Sequence, residues 1–81
     1  MIPQPQVLVN VTVKSKPRLE SIPEIMAAVE RVRQKLGPEG RVLVRYSGTQ
    51  AMCRVMVEAP QEEIAQARCQ EIAQVVEAIL G

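Results

Sequence analysis

From Arg41 to Glu58 the chain reads as strand, tight polar loop and second strand, and no other stretch restricts the possible folds as much. Val42 to Arg45 and Met52 to Glu58 are joined too closely for a crossover, which predicts antiparallel neighbours in a β-hairpin. In the second strand Cys53, Val55 and Val57 alternate with Arg54, Met56 and Glu58, so one face is built to be buried. Upstream, Val7, Val9, Val11 and Val13 alternate with Leu8, Asn10, Thr12 and Lys14, which predicts a further half-buried strand.

Two helices complete the pattern. Lys14 to Arg18 is polar, contains Pro17 and suits a loop. Ser21-Ile22-Pro23-Glu24 has the form of a capping box, with Ser21 at the N-cap, proline in the first turn and glutamate at the third helical position. Ile22, Ile25, Met26, Val29, Val32 and Leu36 then recur at helical spacing, and Gly37-Pro38 supplies the stop. Ala59-Pro60-Gln61 opens a second helix whose first turn holds Glu62 and Glu63, where negative charge suits the helix dipole. Ala65, Cys69, Ile72, Val76 and Ile79 form its expected core stripe. The order β-α-β-β-α predicts an α+β two-layer sandwich, a mostly antiparallel sheet with both helices on one face.

The interior of such a domain must be aliphatic, because 47% of the residues are hydrophobic while the 81-residue chain has one Tyr and no Phe or Trp. The net charge of +1 is spread along the sequence, without the basic block that bulk nucleic-acid or membrane-surface binding uses. Base stacking on a sheet needs rings, and Tyr46 is the only one. With no histidine and two isolated cysteines, Cys53 and Cys69, neither a zinc site nor a disulfide framework is indicated. Both cysteines read as small core residues. No apolar run nears the ~20 residues of a membrane span, and the amino terminus is too short and polar for a signal peptide, so a cytoplasmic setting is expected. The prolines and glutamines within residues 1–6 read as a linker remnant, leaving residues 7–81 as the domain.

The hairpin loop carries the chemistry. Arg45-Tyr46-Ser47-Gly48-Thr49-Gln50 brings together a guanidinium, hydroxyls and a glycine, with Arg54 just beyond. These groups suit a phosphate: forked arginines supply charge, while hydroxyls and backbone amides serve the remaining oxygens. No nucleophile stands beside a base, so the loop is expected to bind without performing chemistry.

Arg45-Tyr-Ser-Gly-Thr-Gln50 followed by Arg54-Val-Met-Val-Glu58 resembles the phosphate-binding loop of the α-D-phosphohexomutases, usually written Arg-Pro-Ser-Gly-Thr-Glu-Pro with a second arginine shortly after. Gly40-Arg-Val-Leu-Val-Arg45 and Pro5-Gln-Val-Leu-Val-Asn-Val11 are similar to the bacterial branch acting on amino-sugar phosphates. The similarity covers the carboxy-terminal domain of a four-domain enzyme. It implies that Arg45, Ser47, Gly48, Thr49 and Arg54 contact the substrate phosphate that is not being transferred, with Tyr46 and Gln50 as cleft-lining candidates. It also implies a phosphosugar substrate, the other domains of the enzyme as partners, and a magnesium ion and a phosphoserine in those other domains. No cofactor, metal ligand or catalytic residue is expected in this domain, and the 81-residue chain alone is not expected to turn over substrate. Tyr46, Gln50 and Ala51 depart from the family pattern, replacing Pro, Glu and Pro. Two other readings stay open: the equivalent domain of a phosphomannomutase or phosphoglucomutase, and a free-standing regulatory or interaction module.

Overall fold

In the computed structural model, which describes residues 4–81, three strands form one sheet and two helices cover one of its faces. Strand β1 (Gln6–Thr12) leads through a short 3-10 turn to helix α1 (Pro23–Leu36), then to β2 (Arg41–Tyr46), β3 (Met52–Glu58) and helix α2 (Glu62–Leu80). The sheet order is β1-β3-β2, with β3 central and antiparallel to both neighbours. The expected α+β sandwich is therefore the fold, and the hairpin is β2–β3. The expected linker falls partly on residues outside those described; β1 begins at Gln6, and the Pro5 carbonyl already accepts the Ala59 amide at 3.2 Å.

Alternation decides which side chains meet the helices. Val55, Val57 and Cys53 on the central strand are fully buried, together with Ile25, Ala28 and Val32 of α1 and Ala65, Cys69, Ile72 and Val76 of α2. On the uncovered face Leu8, Met56 and Leu43 stand in register across the three strands, so one apolar row lies open to solvent. Across the seam between the helices, Glu71 of α2 receives Arg31 at 3.5 Å and Lys35 at 3.4 Å from α1, and Arg68 at 3.3 Å from its own helix. Among the described residues no helix is long and apolar enough to cross a membrane.

Two local expectations need correction. Ser21 does not cap α1: Ile22 holds the N-cap position and no side chain caps the helix. The preceding 3-10 turn, Leu19–Ser21, carries Ser21 backwards, and its hydroxyl donates to the Arg18 carbonyl at 2.6 Å. Pro23 at the first helical position and Gly37 after the last, with φ of 73°, mark the ends as anticipated. In α2 the core stripe ends on Leu80, 6% exposed, whereas Ile79 is 38% exposed. The final step from Val76 is four residues rather than three, which turns Leu80 toward the end of β1, where its carbonyl accepts the Lys14 amide at 2.7 Å.

Both thiols are structural. Burial pushes Cys53 and Cys69 above the ordinary thiol value, with the Val9 and Val57 amides pulling Cys69 partly back. The Cys69 thiol donates to the Val55 carbonyl at 3.3 Å. Because the folded-state values are raised, their contribution to stability is complete below about pH 8.5 and declines as pH climbs through the unfolded and then the folded value. Denaturant titrations at pH 7 and pH 10 check this: stability falls at the higher pH, and a Cys53→Ala/Cys69→Ala variant shows a shallower fall. An equal slope in the variant would remove the thiols from the pH dependence.

Candidate functional site

The hairpin sets the geometry of the candidate site through strand parity. Val42, Val44 and Tyr46 lie on the helix-facing side of β2, so Arg41, Leu43 and Arg45 lie on the other. On β3 Arg54 takes the same uncovered face, opposite Cys53 and Val55. Register places Arg45 directly across from Arg54, and Arg54 directly across from Asn10 on β1. Two exposed guanidinium-bearing residues thus stand side by side at the loop end of the sheet. Among the described residues neither makes an ion pair, although five other ion pairs form. Like charges placed directly opposite one another destabilise a sheet. An anion held between them reverses that sign.

The loop itself is organised by Ser47. This residue is 8% exposed, its amide donates to the Met52 carbonyl at 2.8 Å, and its Oγ accepts the Thr49 and Gln50 amides at 3.4 and 3.3 Å. Those two contacts are long for hydrogen bonds, so an anion oxygen can compete for the same amides at little cost. Ser47 retains its own hydroxyl proton for donation. Thr49 and Gln50 are exposed at the tip, and the Gln50 carbonyl accepts the Met52 amide at 2.8 Å. Gly48 has an ordinary φ, and a Cβ built there meets no protein atom within 4 Å. Neither backbone strain nor crowding inside the chain explains glycine at this position.

Tyr46 sits away from the arginine row. Its ring packs against the core from the inner face of β2, and its hydroxyl donates to the Pro17 carbonyl. Burial, and to a lesser degree Cys53, raises the phenol above its ordinary value. Tyr46, expected as a cleft-lining candidate, thus lies on the face opposite the arginine row and braces the loop from behind. Sequence reasoning also passed over Lys16, whose Nζ donates to the Ser47 carbonyl at 2.8 Å. No local spacing signals a contact between residues 31 apart in the chain. Among the described residues no group of three or more His, Cys, Asp or Glu could hold a metal ion.

A family model described as the C-terminal domain of phosphoglucomutase/phosphomannomutase matches residues 8–75. The chain is 56% identical over 77 residues to a phosphoglucosamine mutase of Syntrophobacter fumaroxidans, a match covering 95% of this chain and 17% of the relative. Among solved structures, N-acetylphosphoglucosamine mutase of Aspergillus fumigatus in complex with GlcNAc-6P and magnesium is 26% identical with a TM-score of 0.81, covering 96% of this chain and 16% of that one. A variant of the same enzyme in complex with glucose 1,6-bisphosphate is 27% identical, again with a TM-score of 0.81, covering 94% of this chain and 16% of that one. The chain spans about a sixth of the length of the proteins it matches.

Proposed function

This chain belongs to the phosphoglucomutase/phosphomannomutase C-terminal domain family, and on that premise we propose that it is the substrate-phosphate clamp of a phosphoglucosamine mutase. Its place is in the interconversion of glucosamine 6-phosphate and glucosamine 1-phosphate, where it grips the phosphate not being transferred. The observation that carries this reading is the unpaired Arg45–Arg54 opposition beside a loop with displaceable amide donors. Forked guanidiniums neutralise the dianion, while Gly48 admits it close to the backbone and Ser47 and Thr49 add neutral donors. A cup of this kind reads a phosphate rather than a sugar, so it can hold either end of a bisphosphorylated intermediate in turn.

Phosphoryl transfer belongs to the rest of the enzyme. Magnesium would supply charge neutralisation at the transferred phosphoryl group, but the residues here do not fit it, and we assign it with the phosphoserine to polypeptide outside this chain. A cytoplasmic location follows from the same assignment. The choice of glucosamine over glucose or mannose rests on the 56% identity to the Syntrophobacter enzyme. A phosphomannomutase or phosphoglucomutase domain is the nearest alternative. The free-standing interaction module draws support from the open Leu8–Met56–Leu43 row, and the partial coverage of every relative named above weighs against it.

Affinity can be bounded. Charged hydrogen bonds contribute about 1.5–3 kcal/mol each, against an association cost of roughly 4–15 kcal/mol. An open loop is left with a dissociation constant on the order of 1 mM, or about 4 kcal/mol. Titrating the chain with glucosamine 6-phosphate under NMR observation should move the Gly48, Thr49 and Gln50 amides and the Arg45 and Arg54 side chains. Shifts concentrated elsewhere, or isomerisation of the sugar phosphate by this chain alone, would overturn the assignment.

A further inference from the structure

The segment between β1 and α1 closes on the hairpin loop at three points. The Val13 amide donates to the Ala51 carbonyl at 2.9 Å, Lys16 Nζ to the Ser47 carbonyl at 2.8 Å, and the Tyr46 hydroxyl to the Pro17 carbonyl. Two of these contacts are ordinary fastenings. The third brings a full positive charge to the carbonyl of the residue that organises the loop. A neutral donor would also fasten the loop, though more weakly, and would do so without bringing a positive charge to it. Among the described residues Lys16 makes no ion pair, and the loop, Tyr46 to Ala51, contains no acidic residue. Glu20, the acid closest in sequence, is engaged by Arg18 at 3.6 Å.

We propose that Lys16 is a third cationic member of the phosphate site, delivered by the β1–α1 segment and held at the loop by the Ser47 carbonyl. This rests on the reading of the hairpin as a phosphate clamp and deepens it. An ammonium carries three donors, and the carbonyl uses one, leaving two for an anion oxygen. With Arg45 and Arg54 on the uncovered face and Lys16 arriving beside Pro17 from the Tyr46 side, three positive charges flank one loop, which suits a dianionic phosphate monoester better than a singly charged carboxylate. The ammonium is a compact point charge, so it adds attraction without dictating the orientation that the forked arginines set.

The experiment separates charge from fastening. Inorganic phosphate is titrated into the chain, into Lys16→Gln and into Lys16→Arg, with chloride added to hold ionic strength constant. The glutamine amide keeps a donor but loses the charge; arginine keeps both. Lys16→Gln is expected to weaken phosphate binding roughly three- to tenfold, with amides beyond the loop unmoved, while Lys16→Arg stays within about twofold of the parent. Acetate, titrated in parallel, should respond less to Lys16→Gln than phosphate does. Wild-type affinity in Lys16→Gln, or an equal loss in both variants, would reduce Lys16 to a brace and overturn the proposal, while an Arg54→Ala loss in the same series leaves the clamp standing. If phosphate fails to perturb the loop of the parent chain at all, the clamp reading falls, and the role of Lys16 with it.

Discussion

Alanine at both Arg45 and Arg54 is expected to remove measurable phosphate binding and to leave the domain as stable as before, or slightly more so. Each guanidinium contributes a charge-assisted hydrogen bond of about 1.5–3 kcal/mol in favourable geometry, less where water competes. The whole interaction amounts to only about 4 kcal/mol at millimolar affinity. Losing both pushes the dissociation constant beyond roughly 0.1 M, outside any practical titration. The same substitutions remove two like charges that face one another across β2 and β3, which relieves a destabilising pairing. Thermal unfolding and a phosphate titration on the double variant, with Arg41→Ala as control, measure both halves. Arg41 lies on the same face but beside Glu58 at the far end of the hairpin, so its removal should leave binding near the parent value. A double variant that still binds, or that melts far below the parent, would show that the arginines hold the sheet and not a ligand.

Ile72→Ala produces the largest expected loss of stability. Ile72 is fully buried on α2, among the aliphatic side chains that fill the core in the absence of Phe and Trp. Truncating such a residue costs about 2–5 kcal/mol, the upper part of the range when neighbours cannot collapse into the cavity. A domain of this size has roughly 4–12 kcal/mol of stability in all. The melting temperature should drop by about 8–40 °C, at roughly 4–8 °C per kcal/mol. Calorimetry or circular dichroism measures it directly. A drop of less than about 5 °C would mean that the core closes over the gap, and that its packing is looser than its fully buried side chains imply.

Much of the architecture was legible because parity and periodicity are local. Alternating valines announced β1 and the inner face of β3. Pro23 and Gly37 marked both ends of α1, since one lacks only an N–H that the first turn leaves unused and the other tolerates positive φ. What failed depended on geometry that sequence spacing does not encode. Ser21 looked like a cap, but a 3-10 turn claimed its hydroxyl first. Ile79 and Leu80 both fit helical spacing from the rest of the α2 stripe, and the choice of Leu80 as its last member is seen only in the packed fold. At the site, the loop residues and both arginines were readable as a set of donors. Parity alone could have assigned Tyr46 to the face opposite Arg45, because adjacent strand residues point apart. Lys16 had no signal, since its approach to Ser47 follows from how the first connection folds back over the hairpin.

That fold-back has a consequence for how the domain assembles. A hairpin is a short-range event, formed within microseconds once its strands are free, whereas the ties that finish the loop join residues 29 and 31 positions apart. Contacts of that separation come later, after loop-closure entropy has been overcome by pairing of β1 with β3. A growing or partly melted chain can therefore possess the turn without possessing the cup. On the proposed reading of this loop as a phosphate clamp, its full affinity then depends on that late step and weakens as soon as the first connection lifts off the hairpin.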